Sequence, residues 1–226
     1  VSILTFAGIS ASDAATPSTR AEAHKLAFAA KAFVLGVHSF HGAITGTVNG
    51  VSINEHITFG AQSTQQSFVT NNGLSFNIVY VDATKTLYLK ANAASLENTY
   101  GVTVSSAATE ANRWFILPHN NSNYASAVSG LTLATSTEGM DFGAFTSVGP
   151  VTTFHGAHVI ELLGKVAASA NGPAGNVTLY VTAGLPTKPV AMTQSVASQG
   201  SYTLMWSGFN TKVSIATPAT TSILRN

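Results

Sequence analysis

Phe40-His-Gly-Ala-Ile-Thr-Gly-Thr-Val48, then Asn49-Gly50, then Val51-Ser-Ile-Asn-Glu-His-Ile-Thr-Phe59, is the stretch whose reading decides the fold. On the first limb Phe40, Ile44 and Val48 are separated by polar or small residues. On the second, Val51, Ile53, Glu55, Ile57 and Phe59 alternate cleanly. Side chains of a strand point to opposite faces in turn, so each limb predicts a strand with one apolar face. Asn-Gly between them is the strongest short hairpin signal, because both central residues of a type I′ turn need positive φ. Glu55 lies in phase with the apolar set. A lone buried carboxylate is costly, so Glu55 is either buried and paired or on a face that is not fully covered, and the second reading is the one expected.

Upstream, Thr16-Pro17 predicts a helix start, since Pro at the first helical position loses nothing by lacking an N–H. Thr19 and Glu22 have capping-box spacing one turn later. Ala23, Leu26, Ala30, Phe33 and Val37 follow the 3.6-residue period, and Gly36 is a stop. Such a helix needs a sheet to cover its stripe. Downstream, strands are expected at residues 65–70, 74–81 and 86–90, with a turn at Asn71-Asn72-Gly73, so the first half is a meander. Residues 92–149 read as a lid or insertion-like segment: a helix over Ala93 to Tyr100 ending at Gly101, the apolar cluster Trp114 to Leu117 stopped by Pro118, and helical hints at Tyr124 to Val128 and Phe142 to Phe145. Strands resume at Val151 to Leu163, Asn176 to Thr182, Pro189 to Val196, Tyr202 to Trp206 and Lys212 to Ala216, after which Pro218 leaves a short tail. The expected class is α+β, mostly β: an antiparallel sheet curved into a half-barrel around an N-terminal helix. The boundaries are an extension over residues 1–16, apolar strand plus flexible tether, and one domain over 17–226.

Of the 226 residues 45% are hydrophobic, enough for a full core, and only 8% are charged. A net charge of +1 offers no basic field to neutralise phosphates, which argues against nucleic-acid binding. No apolar run reaches the roughly 20 residues that span a bilayer. The chain has no cysteine, which excludes disulfides, thiolate metal sites and cysteine nucleophiles. Gly-x-Ser-x-Gly, His-Glu-x-x-His and phosphate-cradling Gly loops are missing, and no enzyme, cofactor or metal is expected. His38 and His41, like His155 and His158, are three apart, which on a strand puts them on opposite faces.

The order of elements resembles the LolA/LolB-type lipoprotein-localisation fold, especially the actinobacterial lipid-carrier lipoproteins of that superfamily. The resemblance rests on His38-Ser-Phe-His-Gly-Ala-Ile-Thr-Gly46, Thr86-Leu-Tyr-Leu-Lys-Ala91, Arg113-Trp-Phe-Ile-Leu-Pro118, Val177-Thr-Leu-Tyr-Val-Thr-Ala-Gly-Leu-Pro186 and Leu204-Met-Trp-Ser-Gly-Phe-Asn-Thr-Lys-Val213, in that order. It covers roughly residues 17–218, and fold-level likeness is an analogy for function. It implies a half-barrel with a lid whose hollow holds acyl chains in many members, and export with a lipobox Cys anchor, where this chain has Ile9.

Val1-Ser-Ile-Leu-Thr-Phe6 is apolar and β-branched, followed by small residues. It fits the tail of a signal peptide, a strand of the domain's own sheet, or a strand donated to a neighbour. With so little charge to keep copies apart, the donated strand is expected, with Val1, Ile3, Leu4 and Phe6 as anchors. On that reading the protein is a secreted, extracellular or cell-surface filament subunit, a homo-oligomer or homopolymer. The alternative is a lipid or lipoprotein carrier binding acyl chains, with Phe33, Phe76, Tyr88, Trp114, Phe154, Tyr180 and Trp206 lining its cavity.

Overall fold

At Asn49 and Gly50 the backbone takes φ of 51° and 78°, so the hairpin turns where its two positive-φ residues stand. The structure is a computed structural model that describes residues 17–138, 145–166, 174–196, 199–219 and 222–224. Helix α1 (Pro17–Leu35) leads into β1 (Phe40–Val48), β2 (Val51–Phe59), β3 (Ser63–Thr70), β4 (Ser75–Val81) and β5 (Thr86–Ala91). Helices α2 (Ala93–Tyr100) and α3 (Val104–Glu110) come next, then β6 (Trp114–Leu117), α4 (Tyr124–Val128) and α5 (Leu133–Glu138). The chain ends with β7 (Phe145–Phe154), β8 (Ala157–Val166), β9 (Gly175–Thr182), β10 (Pro189–Val196) and β11 (Gly200–Ser207).

All eleven strands join one open antiparallel sheet in the order β6-β5-β4-β3-β2-β1-β11-β10-β9-β8-β7. Two meanders, β1 to β6 and β7 to β11, are thus sewn together where the first strand meets the last, from His41 opposite Ser207 to Val48 opposite Gly200. The sheet curves as a half-barrel, with β6 and β7 as its edges. Helix α1 lies over β7, β8, β9 and β10, and α2 over β4. On α1 the buried stripe is Ala23, Ala27, Ala30, Val34 and Val37; Leu26 and Phe33 flank it half-buried. Three alanines in that stripe let the helix axis approach the sheet closely. Asn92 caps α2, its Oδ1 accepting from the Ser95 N–H at 2.9 Å, and Gly101 ends the helix at φ 69°.

Several sequence expectations are corrected. Val151 to Leu163 is not one strand but the β7–β8 hairpin, turned at His155 and Gly156 with φ of 47° and 82°. Gly156 with the preceding His, a residue enriched with Asn and Asp among the non-glycines at positive φ, makes the turn inside one apolar run that reads as continuous. Lys212 to Ala216 joins no ladder, because β1 and β11 are already paired on both sides. That segment runs across the base of the sheet instead: Ser39 Oγ donates to the Thr211 carbonyl at 2.6 Å, and Val213 packs within 3.3 Å of where a side chain on Gly60 would begin. Nor is the end a free tail. Ile223 pairs in parallel with Ile116 of β6, and Leu224 is buried, so residues 222–224 cover the backbone groups that β6, as an edge, leaves unpaired. Trp114 to Leu117 of the 92–149 segment is a strand of the sheet, and α3 and α5 are short Ala/Ser/Thr-rich helices without a clear period. Of the Phe142 to Phe145 helical hint, residues 142–144 lie outside the described residues, and Phe145 opens β7.

Candidate functional site: the concave face of the sheet

Following cross-strand partners from β5 to β7 traces one row: Ala91, Phe76, Phe68, Glu55, Ile44, Leu204, Met192, Leu179, Leu162 and Val148. Nine are apolar, as a concave face packed on helices requires; the tenth is Glu55. The next row runs Phe115, Leu89, Ile78, Gln66, Ile57, Gly42 and Trp206. Gly42 belongs there because a Cβ would meet Ile57 Cγ2 at 2.9 Å.

Burial along the first row divides it. Leu204, Met192, Leu179 and Leu162 are buried, and α1 spans β8 to β10 above them. Phe76 and Ala91 are buried at the other end. Between them Phe68, Glu55 and Ile44 are only partly buried, as are Ile53, Val51 and Val48 nearer the Asn49-Gly50 turn. An apolar strip on the concave face is therefore incompletely covered on β1, β2 and β3. Phe68 stacks on Phe76 with ring centroids 4.7 Å apart, which backs the strip with an ordered aromatic pair.

Two polar pairs stand in this apolar surface. Gln66, 1% exposed, donates from Nε2 to Glu55 Oε1 at 2.8 Å. Burial raises the Glu55 pKa above the ordinary carboxylate value, and the Gln66 hydrogen bond offsets part of that rise. The Tyr202 hydroxyl donates to Gln194 Oε1 at 2.5 Å, and burial raises the Tyr202 pKa. Glu55 thus meets both conditions weighed from the sequence: it is paired, and its face is only partly covered.

The aromatic residues named from the sequence separate by face. Phe76 and Trp206 stand in the concave rows. Phe33 sits at the end of α1, edge-on to Phe209 at 5.1 Å with the Lys188 ammonium over its ring. Tyr88 and Trp114 alternate with the buried Leu87, Leu89, Phe115 and Leu117, and so lie on the convex face. Phe154 and Tyr180 stack on one another at 4.2 Å, Tyr180 alternating with the concave Leu179 and Val181. Ile44 and Ile53 were read from the sequence only as strand positions, and Phe68 and Gln66 were not singled out. The β3 alternation of Thr64, Gln66, Phe68 and Thr70 was the available signal. Val1, Ile3, Leu4 and Phe6 lie outside the described residues.

Among the described residues no cluster of three or more His, Asp and Glu side chains has metal-binding geometry, and no helix is long and apolar enough to cross a membrane. No protein-family profile and no curated protein sequence matches the chain. Solved structures do. LprF from Mycobacterium bovis aligns with a TM-score of 0.56 at 14% identity, covering 89% of this chain and 99% of LprF. The Mycobacterium tuberculosis lipoprotein LppX aligns with a TM-score of 0.55 at 15% identity, covering 87% of this chain and 99% of LppX. At such identities the likeness is one of fold alone, and it is the fold that the order of elements in the sequence resembled. These matches overturn the filament-subunit expectation. The fold is shared along nearly the whole length of LprF and LppX, and a self-assembling subunit joined by a donated strand finds no support in it.

Proposed function

We propose that this protein is a non-catalytic carrier of the cell envelope or the secreted space that binds acyl chains of a lipid or lipoprotein against the concave face of its sheet. The incompletely covered concave row at Ile44, Ile53 and Phe68 carries the reading. An extended methylene chain fits a concave surface with apolar walls and few polar points. The α2 to α5 region of the 92–149 segment is the lid of this site, with residues 17–226 acting as one domain. Phe76, Trp206 and Phe33 back the cavity, and Phe68 and Ile44 meet the ligand.

The test is native purification, solvent extraction and mass spectrometry, with binding of a fluorescent fatty-acyl probe to the emptied protein. The expected result is an acyl-bearing lipid in the extract and saturable binding that Phe68→Asp abolishes while the circular-dichroism spectrum is kept. An empty extract together with no probe binding would sink the carrier reading.

A further inference from the structure

We propose that Glu55 and Gln66 form a recognition point for a hydroxyl group on the bound chain, so that the protein prefers hydroxylated acyl lipids over plain ones. This rests on the carrier reading above. Glu55 holds a position that nine apolar residues fill in the other strands of its row. Glutamate is a poor strand residue and its carboxylate is costly to bury, so packing alone gives no reason for it there. Its neighbours across the ladder, Ile44 and Phe68, belong to the incompletely covered part of the row, which puts the carboxyl where the proposed chain would lie.

Gln66 makes the carboxyl a built feature. It is itself buried in the adjacent row and donates to Oε1. A carboxylate has two oxygens with about four acceptor positions, so this bond orients the group and leaves acceptor capacity for a ligand. An unsubstituted chain laid over Glu55 strips its water and returns nothing, a loss of the kind incurred by any buried polar group left without a partner. A hydroxyl restores the bond. Sites built around such a bond reject the analogue that lacks it far better than apolar pockets reject an extra methylene.

Burial raises the Glu55 pKa, and a hydroxyl suits that circumstance, since it donates to the carboxylate and accepts from the protonated acid. An ammonium would pair only with the ionised form, and a fatty-acid carboxylate placed here would meet like charge.

The experiment is displacement of a fluorescent acyl probe from the full chain by methyl stearate, by a set of methyl monohydroxystearates differing in hydroxyl position, and by stearate. In the wild type at least one hydroxylated ester is expected to bind about tenfold more tightly than methyl stearate, the factor for one well-made hydrogen bond. Glu55→Leu should bind methyl stearate at least as well as the wild type and show no hydroxyl preference. Glu55→Gln, which keeps a hydrogen-bonding group, should retain part of it. Equal affinity for all the esters in the wild type, or an undiminished preference in Glu55→Leu, would overturn the proposal while leaving the carrier reading standing. If the probe binds but no ester displaces it, the hydroxyl proposal falls alone; if the probe does not bind and native material yields no acyl lipid, both fall.

Discussion

The same truncation at two places in one cross-strand row should have opposite consequences. Leu179 is 0% exposed, between Met192 and Leu162. Leu179→Ala removes three carbons at about 0.8 kcal/mol each, or ~2.4 kcal/mol of transfer free energy. The residual cavity brings the expected loss to about 3–4 kcal/mol. For a chain of this size that lowers Tm by roughly 6–16 °C. Ile44→Ala also removes three carbons, but from a partly buried position in the incompletely covered strip. Part of the transfer term, about 1–2 kcal/mol, is lost and no sealed cavity forms. Thermal and urea unfolding measure the stability of each variant, and acyl-probe titration measures binding. Leu179→Ala should be clearly less stable with near-normal affinity at a temperature where it stays folded. Ile44→Ala should lose less stability but bind more weakly than the wild type. Equal losses of stability, with binding untouched by Ile44→Ala, would show that the row is not divided into a sealed and an open part and would refute the reasoning.

Two further outcomes follow from local geometry and charge. Burial raises the folded-state pKa of Glu55, so the folded protein holds that proton more tightly than the unfolded chain does, and stability is lost as pH rises through the raised value. Glu55→Gln should therefore be more stable than the wild type near neutrality, with the gap closing below about pH 4, where the carboxyl is protonated in both states. Urea midpoints across that range measure it, and a gap independent of pH would contradict the assignment. At Gly200, which has φ of +111° and whose added Cβ would collide with the Thr47 carbonyl oxygen, Gly200→Ala strains the β1–β11 seam. It should cost about 2 kcal/mol or more, read from the denaturation midpoint; a neutral result would mean that the two meanders are not held in this register.

Alternation in β1, β2, β9 and β10, the Asn49-Gly50 turn and the Pro17 helix start were legible because each depends on residues a few positions apart. Strand periods, positive-φ turns and helix starts are local matters. The β7–β8 turn escaped because the lone Gly156 sits between two apolar runs that read as one strand, and Lys212 to Ala216 misled because strand-like composition cannot tell whether a free edge awaits it.

What only the tertiary structure decided is how the strands lie beside one another. Sequence placed Glu55 in phase with an apolar face. It could not show that β1 meets β11, that Ile44 and Phe68 flank Glu55 in a half-open strip, or that Gln66 reaches across from the next strand. Nor could it sort Phe76 and Trp206 onto the concave side and Tyr88, Trp114 and Tyr180 onto the other. Facing follows from period two within a strand, but which faces join, and which part of the joined face a helix covers, is set by pairings between residues as far apart as Ile44 and Leu204. Those pairings are won by the burial of the whole sheet and are not encoded in any one segment of it.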